Sequence, residues 1–110
     1  MKSNQLPLTE TVFYLLIAFS EPIYGYIAIK KIEELSQGEV RIAAGTMYGA
    51  IENLLKLNML KQLASKNERR KVYQTDRLRK QILEAEVLRM KHCINMFDSN
   101  NRGEKNEEKI

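Results

Sequence analysis

The chain has 110 residues, room for one small domain and not for two. Hydrophobic residues make up 44%, enough to fold, and a formal net charge of +4 with a sequence pI near 9.2 leans toward anionic partners. The single cysteine, Cys93, excludes an intramolecular disulfide and a CxxC zinc site, and the longest apolar run, Val12 to Phe19, is far short of the ~20 residues a membrane span needs.

Residues 1–7 are polar and expected to be loose. With no charged n-region, long apolar run and small-residue cleavage site at the N-terminus, a cytoplasmic protein is expected. Thr9 is a candidate N-cap for a first helix running to about Ser20. Val12, Phe13, Leu15, Leu16, Ile17 and Phe19 make it apolar on more than one side, the pattern of a helix covered from two directions.

Pro22 breaks that helix, and Tyr24-Gly25-Tyr26 opens a second with Ile27, Ile29, Ile32 and Leu35 expected inside. Gly38 is its expected C-terminal turn. Tyr24 and Tyr26 could donate to a phosphate at the free N–H groups of a helix start, or be half-buried packing residues. Glu39-Val40-Arg41-Ile42 alternates polar and apolar residues and predicts a very short strand.

A third helix is predicted over 44–57. Met47, Ala50, Ile51, Leu54 and Leu55 recur at the spacing of one buried face. The opposite face carries Gly45, Gly49, Glu52 and Lys56, with Thr46, Tyr48 and Asn53 on its flanks. A mid-helix glycine costs roughly 1 kcal/mol against alanine, and its missing side chain lets the backbone come close to another surface. Thr46, Tyr48 and Asn53 beside that gap suit phosphates or base edges. Ala43 and Ala44 offer no side-chain cap.

Lys61–Ser65 and Lys71–Thr75 have strand character and flank a polar turn, which predicts a two-stranded hairpin. Residues 61–80 hold eight basic groups against Glu68 and Asp76, a local +6, so the other ninety residues sum to −2. The positive charge is therefore one feature, and its tip comprises Lys66, Arg69, Arg70 and Lys71. Asp76 is the expected N-cap of a last helix over 77–98. Its Leu83, Val87, Met90, Ile94 and Phe97 are spaced 4, 3, 4, 3, the repeat of a coiled-coil seam. Leu78, Ile82 and Ala85 form a second apolar edge to pack on the chain's own domain.

The order predicts a mainly α fold with a small β-hairpin. Residues 1–75 form a winged helix-turn-helix DNA-binding domain, 76–98 a C-terminal dimerisation helix, and 99–110 a disordered polar tail. In such a pair the second helix enters the major groove, which explains its sparse face at Gly45, Gly49 and Thr46. Wing cations beside it would release counterions from the DNA backbone. The nucleic-acid residues expected are Tyr24, Tyr26, Gly45, Thr46, Tyr48, Gly49, Asn53, Lys56, Lys66, Arg69, Arg70 and Lys71. His92 is the only histidine and stands beside Cys93 at positions that point apart, and no nucleophile, P-loop or metal-ligand spacing accompanies it. No enzyme, cofactor or metal is expected. The competing reading is an interaction adaptor whose wing cations meet acidic protein.

Ile23-Tyr24-Gly25-Tyr26, then Gly45-Thr46-Met47-Tyr48 with Ala50 and Leu54, then Arg69-Arg70-Lys71-Val72-Tyr73 resemble the PadR-like winged-helix transcriptional regulators over about residues 8–98. Ala43-Ala44 departs from the Ser-Pro that often precedes the glycine, Asn58 stands where a glycine usually follows the recognition helix, and the wing tip lacks glycine. The resemblance implies a homodimeric regulator, most often a repressor, on a palindromic operator. Thr46 and Tyr48 would contact DNA from the recognition helix, Arg69, Arg70 and Lys71 from the wing, while Tyr73 packs the hairpin. It also implies a dimer through the first and last helices, assigned to Phe13, Leu16, Leu83, Val87, Met90, Ile94 and Phe97. Some relatives hold a flat aromatic effector between the final helices; here Phe13, Met90, Met96 and Phe97 are the candidates to line that space.

Overall fold

A computed structural model of the protein describes residues 6–66 and 69–106, with the backbone alone at Leu78 and 103–106. The turn centre Asn67–Glu68, residues 1–5 of the expected loose start and residues 107–110 of the expected tail lie outside the described residues. The elements in order are α1 (Glu10–Ala18), β1 (Ile23–Tyr24), α2 (Gly25–Leu35), α3 (Ala44–Lys56), β2 (Leu60–Leu63), β3 (Val72–Thr75) and, after a single 3-10 turn at Arg77–Arg79, α4 (Lys80–Asn106).

Thr9 caps α1: its Oγ1 accepts from the Val12 N–H at 3.1 Å. Leu15, Leu16 and Ala18 from α1 and Phe19, which ends it, meet Ala28 and Ile32 from α2 and Met47, Ile51 and Leu54 from α3 in the core. That core also receives Met59, Leu60 and Tyr73 from the hairpin side. The inner face expected for α3 is thus the face that packs. For α2 the expectation is half right: Ile32 is buried and Ile29 half-buried, but Ile27 and Leu35 are exposed and Ala28 takes the central place. Ala28 is wholly buried in that core, and in packing this tight a small side chain can fit where a larger one cannot.

The segment 39–42 is not a strand. Ser36 Oγ accepts the Val40 N–H at 2.8 Å, withdrawing the donor a ladder would need, and the chain runs irregularly into α3 while Ile42 drops into the core. The third strand is Ile23–Tyr24 instead, so the sheet has three strands in the order β1-β3-β2, both pairs antiparallel. Pro22 ends α1 and forces an extended approach, and the two residues before α2 use it to pair with β3. Left-handed backbone falls at Gln37, Gly38 and Asn58, so Asn58 does make the turn that follows α3.

α4 is longer than expected. It does not stop at Asp98 but continues as helix through Asn106, with Arg102 donating to Ser99 Oγ at 3.3 Å on one of the added turns. No proline interrupts 80–106, and a polar sequence in a helix clear of the body is satisfied by water. At 27 residues α4 is about 40 Å long and dominates a molecule of 65 × 33 × 20 Å. Ile82 is its buried apolar anchor. One turn on, Glu86 is only 2% exposed, and its Oε2 accepts the Leu8 N–H at 3.2 Å. Arg89 donates to the same carboxylate through Nε and Nη2 at 2.6 and 2.9 Å. That guanidinium, helped by the Leu8 N–H and opposed by burial, holds the Glu86 carboxyl below the usual carboxylate range.

Candidate nucleic-acid interface

α2 and α3, joined by residues 36–43, present α3 on the outside of the domain beside the hairpin. Its N-cap, Ala43, makes no side-chain cap bond; the Ala43 carbonyl accepts from the Met47 N–H at 2.9 Å, and the first turn is left bare. Gly45, Thr46, Tyr48, Gly49, Asn53 and Lys56 are all exposed. A Cβ built at Gly45 or at Gly49 meets nothing within 4 Å, so neither glycine is required by packing inside the chain. What they provide is a strip of helix surface a partner can approach to backbone distance.

Beside this strip lies a groove of about 310 Å³ lined by Gly25, Tyr26, Tyr48, Arg69, Arg70, Lys71 and Tyr73. It brings together five residues expected at the interface, one from each of α2 and α3 and three from the wing. Arg70 Nη1 donates to Tyr26 Oη at 3.2 Å, and its Cζ is 5.3 Å from the Tyr26 ring centroid. Tyr24 is half-buried and does not line the groove; its ring stacks behind Tyr26, centroids 5.8 Å apart and planes 20° from parallel. Lys66 is exposed on the other limb of the hairpin, away from the groove lining. Gly45, Thr46, Gly49, Asn53 and Lys56 run along α3 outside it.

Two residues of the groove are not expected there from the sequence. Tyr73 is the floor: it is buried, edge-on to Phe19 at 5.8 Å, and its phenol is pushed up by burial and then by Tyr48 nearby. Gly25 is the second. A Cβ there would sit 3.0 Å from Tyr48 Cε1 and 3.4 Å from both Tyr48 Oη and Tyr73 Cε2. The signal for it is a glycine between two tyrosines at a helix start, a place that needs no conformational freedom and so implies a close approach.

The residues expected to form a dimer divide differently. Leu16 is wholly inside the protomer's core and has no surface to offer a partner, which corrects that assignment. Its place on α1 puts it against the chain's own helices. Leu83 is half-buried against the same core, and Phe13, Val87 and Met90 are half-buried. Ile94, Met96 and Phe97 stand out on the distal part of α4, with Phe97 64% exposed, and Leu88, not foreseen, is exposed nearer its root. Of the four residues expected around an effector, Met96 and Phe97 line one open depression on α4, whereas Phe13 and Met90 do not reach it. Phe13 instead meets Tyr14 edge-on at 6.0 Å.

No helix among the described residues is long and apolar enough to cross a membrane. The family model of the Transcriptional regulator PadR-like family matches residues 13–84, from within α1 to the first turn of α4. No curated protein matches the chain. Among solved structures, a PadR family transcription regulator from Clostridium difficile superposes with a TM-score of 0.70 at 21% identity, over 83% of this chain and 97% of that one. A transcriptional regulator from Clostridium thermocellum gives 0.67 at 16% identity, covering 82% and 90%. A PadR family transcriptional regulator from Eggerthella lenta gives 0.61 at 24% identity, covering 77% and 72%. At these identities the likeness is one of fold.

Proposed function

The chain belongs to the PadR-like family of transcriptional regulators, and from that premise we propose that it works as a homodimeric, sequence-specific repressor. A DNA-binding transcription regulator, not an enzyme, is what the family comprises; the finer reading comes from the surfaces described above. The observation that carries it is the open strip at Gly45 and Gly49 beside a groove with Arg69, Arg70 and Lys71 on one wall. A helix face stripped of side chains fits a major groove, and cations flanking it fit the phosphates on its rim.

The partner proposed for the distal part of α4 is a second copy. Every residue from 91 to 100 is exposed, yet Ile94, Met96 and Phe97 lie among them. An arm of that kind buries its apolar side chains against an equivalent arm, and a two-fold pair of readers then calls for a palindromic operator. Repression is the proposed mode because a dimer seated on its operator occupies DNA that transcription needs. A flat aromatic effector between the arms, lined by Met96 and Phe97, is the proposed release signal, and the cytoplasm the proposed location.

Selection of bound duplexes from a random pool tests the reading. The expected motif is two-fold symmetric, with half-site centres one helical turn, about 34–36 Å, apart. Binding should fall steeply with salt. Indifference to all duplexes at low salt would overturn DNA recognition and favour an adaptor that docks on acidic protein.

A further inference from the structure

We propose that Tyr26 is a positioning residue that acts on DNA through Arg70, holding the wing's guanidinium in place before DNA arrives. The proposal rests on the DNA-binding reading given above. It starts from the register of the sheet. Ile23 pairs with Tyr73 and Tyr24 with Val72. The ladder stops there, but the progression does not: the Gly25 N–H donates to the Lys71 carbonyl at 3.3 Å, and Tyr26 then meets Arg70. Four successive residues at the start of α2 are matched one by one to four residues of the wing's returning strand. The last match is made by side chains alone.

That match has two parts. The Arg70 Nη1–H donates to the Tyr26 hydroxyl oxygen at 3.2 Å, and the guanidinium carbon lies 5.3 Å from the ring centroid. Tyr26 is itself braced, because Tyr24 stacks behind it and is fixed by its strand pairing to Val72. A wing arginine on an exposed turn ordinarily loses much rotamer freedom when it binds a phosphate. Held against a braced ring, Arg70 has lost part of it already, so less is lost on binding. Tyr26 therefore contributes to affinity without touching DNA, unlike a tyrosine that donates to phosphate.

The two roles separate in a double-mutant cycle on the full-length protein with one fixed duplex. Tyr26→Phe should weaken binding by about threefold, the scale of one exposed hydrogen bond, and leave the salt slope unchanged because every cation remains. Arg70→Ala should weaken binding and lower the slope by about one. Adding Tyr26→Phe to Arg70→Ala should then cost nothing more. Additive losses, or no loss from Tyr26→Phe alone, would overturn the proposal. In the free protein, ¹⁵N relaxation of the Arg70 and Lys71 amides should report greater mobility in Tyr26→Phe, and unchanged relaxation would also overturn it. This last measurement needs no DNA, so a failure of the clamp and a failure of DNA binding can be told apart.

Discussion

A methyl group at Gly25 would lie 3.0 Å from Cε1 of Tyr48, tighter than most side-chain contacts, so the start of α2 is in contact with the recognition helix through an aromatic ring. Tyr48 is 44% exposed and its ring has solvent to move into. Gly25→Ala should therefore be tolerated by the fold, since alanine is otherwise the better helix residue. The cost should appear in recognition, because the Tyr48 ring must shift by a few tenths of an ångström in the groove it shares with Arg69 and Arg70. Thermal melts within a few degrees of wild type, together with a weaker operator complex in gel shifts, are the expected pair of results.

Gly49 gives the opposite contrast. Its Cβ would meet open space, so Gly49→Ala should stabilise the protein by up to about 1 kcal/mol. Gly49→Leu should also fold, but its side chain stands on the proposed docking strip, and specific affinity should fall at least about tenfold, roughly 1.4 kcal/mol. Titration of a selected operator checks this, and an unchanged affinity would remove α3's bare face from the interface.

Wing cations should act without regard to sequence. Arg69→Ala or Lys71→Ala is expected to weaken specific and nonspecific duplexes alike, and to lower the salt slope by about one for each phosphate that is no longer neutralised. Binding isotherms at several salt concentrations measure it directly.

Glu86 makes the fold sensitive to acid. Its pKa is lowered in the folded chain, first by the Arg89 hydrogen bond, so its contribution is present above the unfolded value of about 4.3 and is lost as pH falls through the lower folded value. Glu86→Gln keeps an acceptor for the Leu8 N–H but loses that titration, so its stability should vary less with pH below about 4.3. Glu86→Ala leaves the Leu8 N–H without its acceptor and should cost about 1–3 kcal/mol at neutral pH. Urea titrations on either side of that value, in acid and at neutrality, distinguish the three proteins.

Ile94→Glu and Phe97→Glu alter side chains that are exposed in the protomer, so each should leave the helical content unchanged. If the arms pair, sedimentation should show a shift from dimer toward monomer, with loss of operator binding at the same concentrations.

The helices and the hairpin are legible in the sequence because their signals are periodic: Met47, Ile51 and Leu54 repeat at helix spacing, and all three are buried. The polar joints are less legible. Glu86 looks like any charged helix residue, and only the folded chain brings the Leu8 N–H to it across 78 positions. The strand at Ile23–Tyr24 is hidden for a related reason, since two residues carry no alternation and take their conformation from β3. Leu16 is hard to place because an all-round apolar helix does not reveal which side faces its own domain. The partnership of Tyr26 and Arg70 follows from register, which a one-dimensional reading does not contain.

The length of α4 has a mechanical consequence. From Glu86 to Asn106 is about 30 Å of helix, so a tilt of about 5° at the Ile82–Glu86 joint swings its tip by roughly 2.5 Å. A shaft held near one end, where Ile82, Leu83 and the buried Glu86 carboxylate meet the body, multiplies small rearrangements at its root into displacements comparable to a base-pair rise.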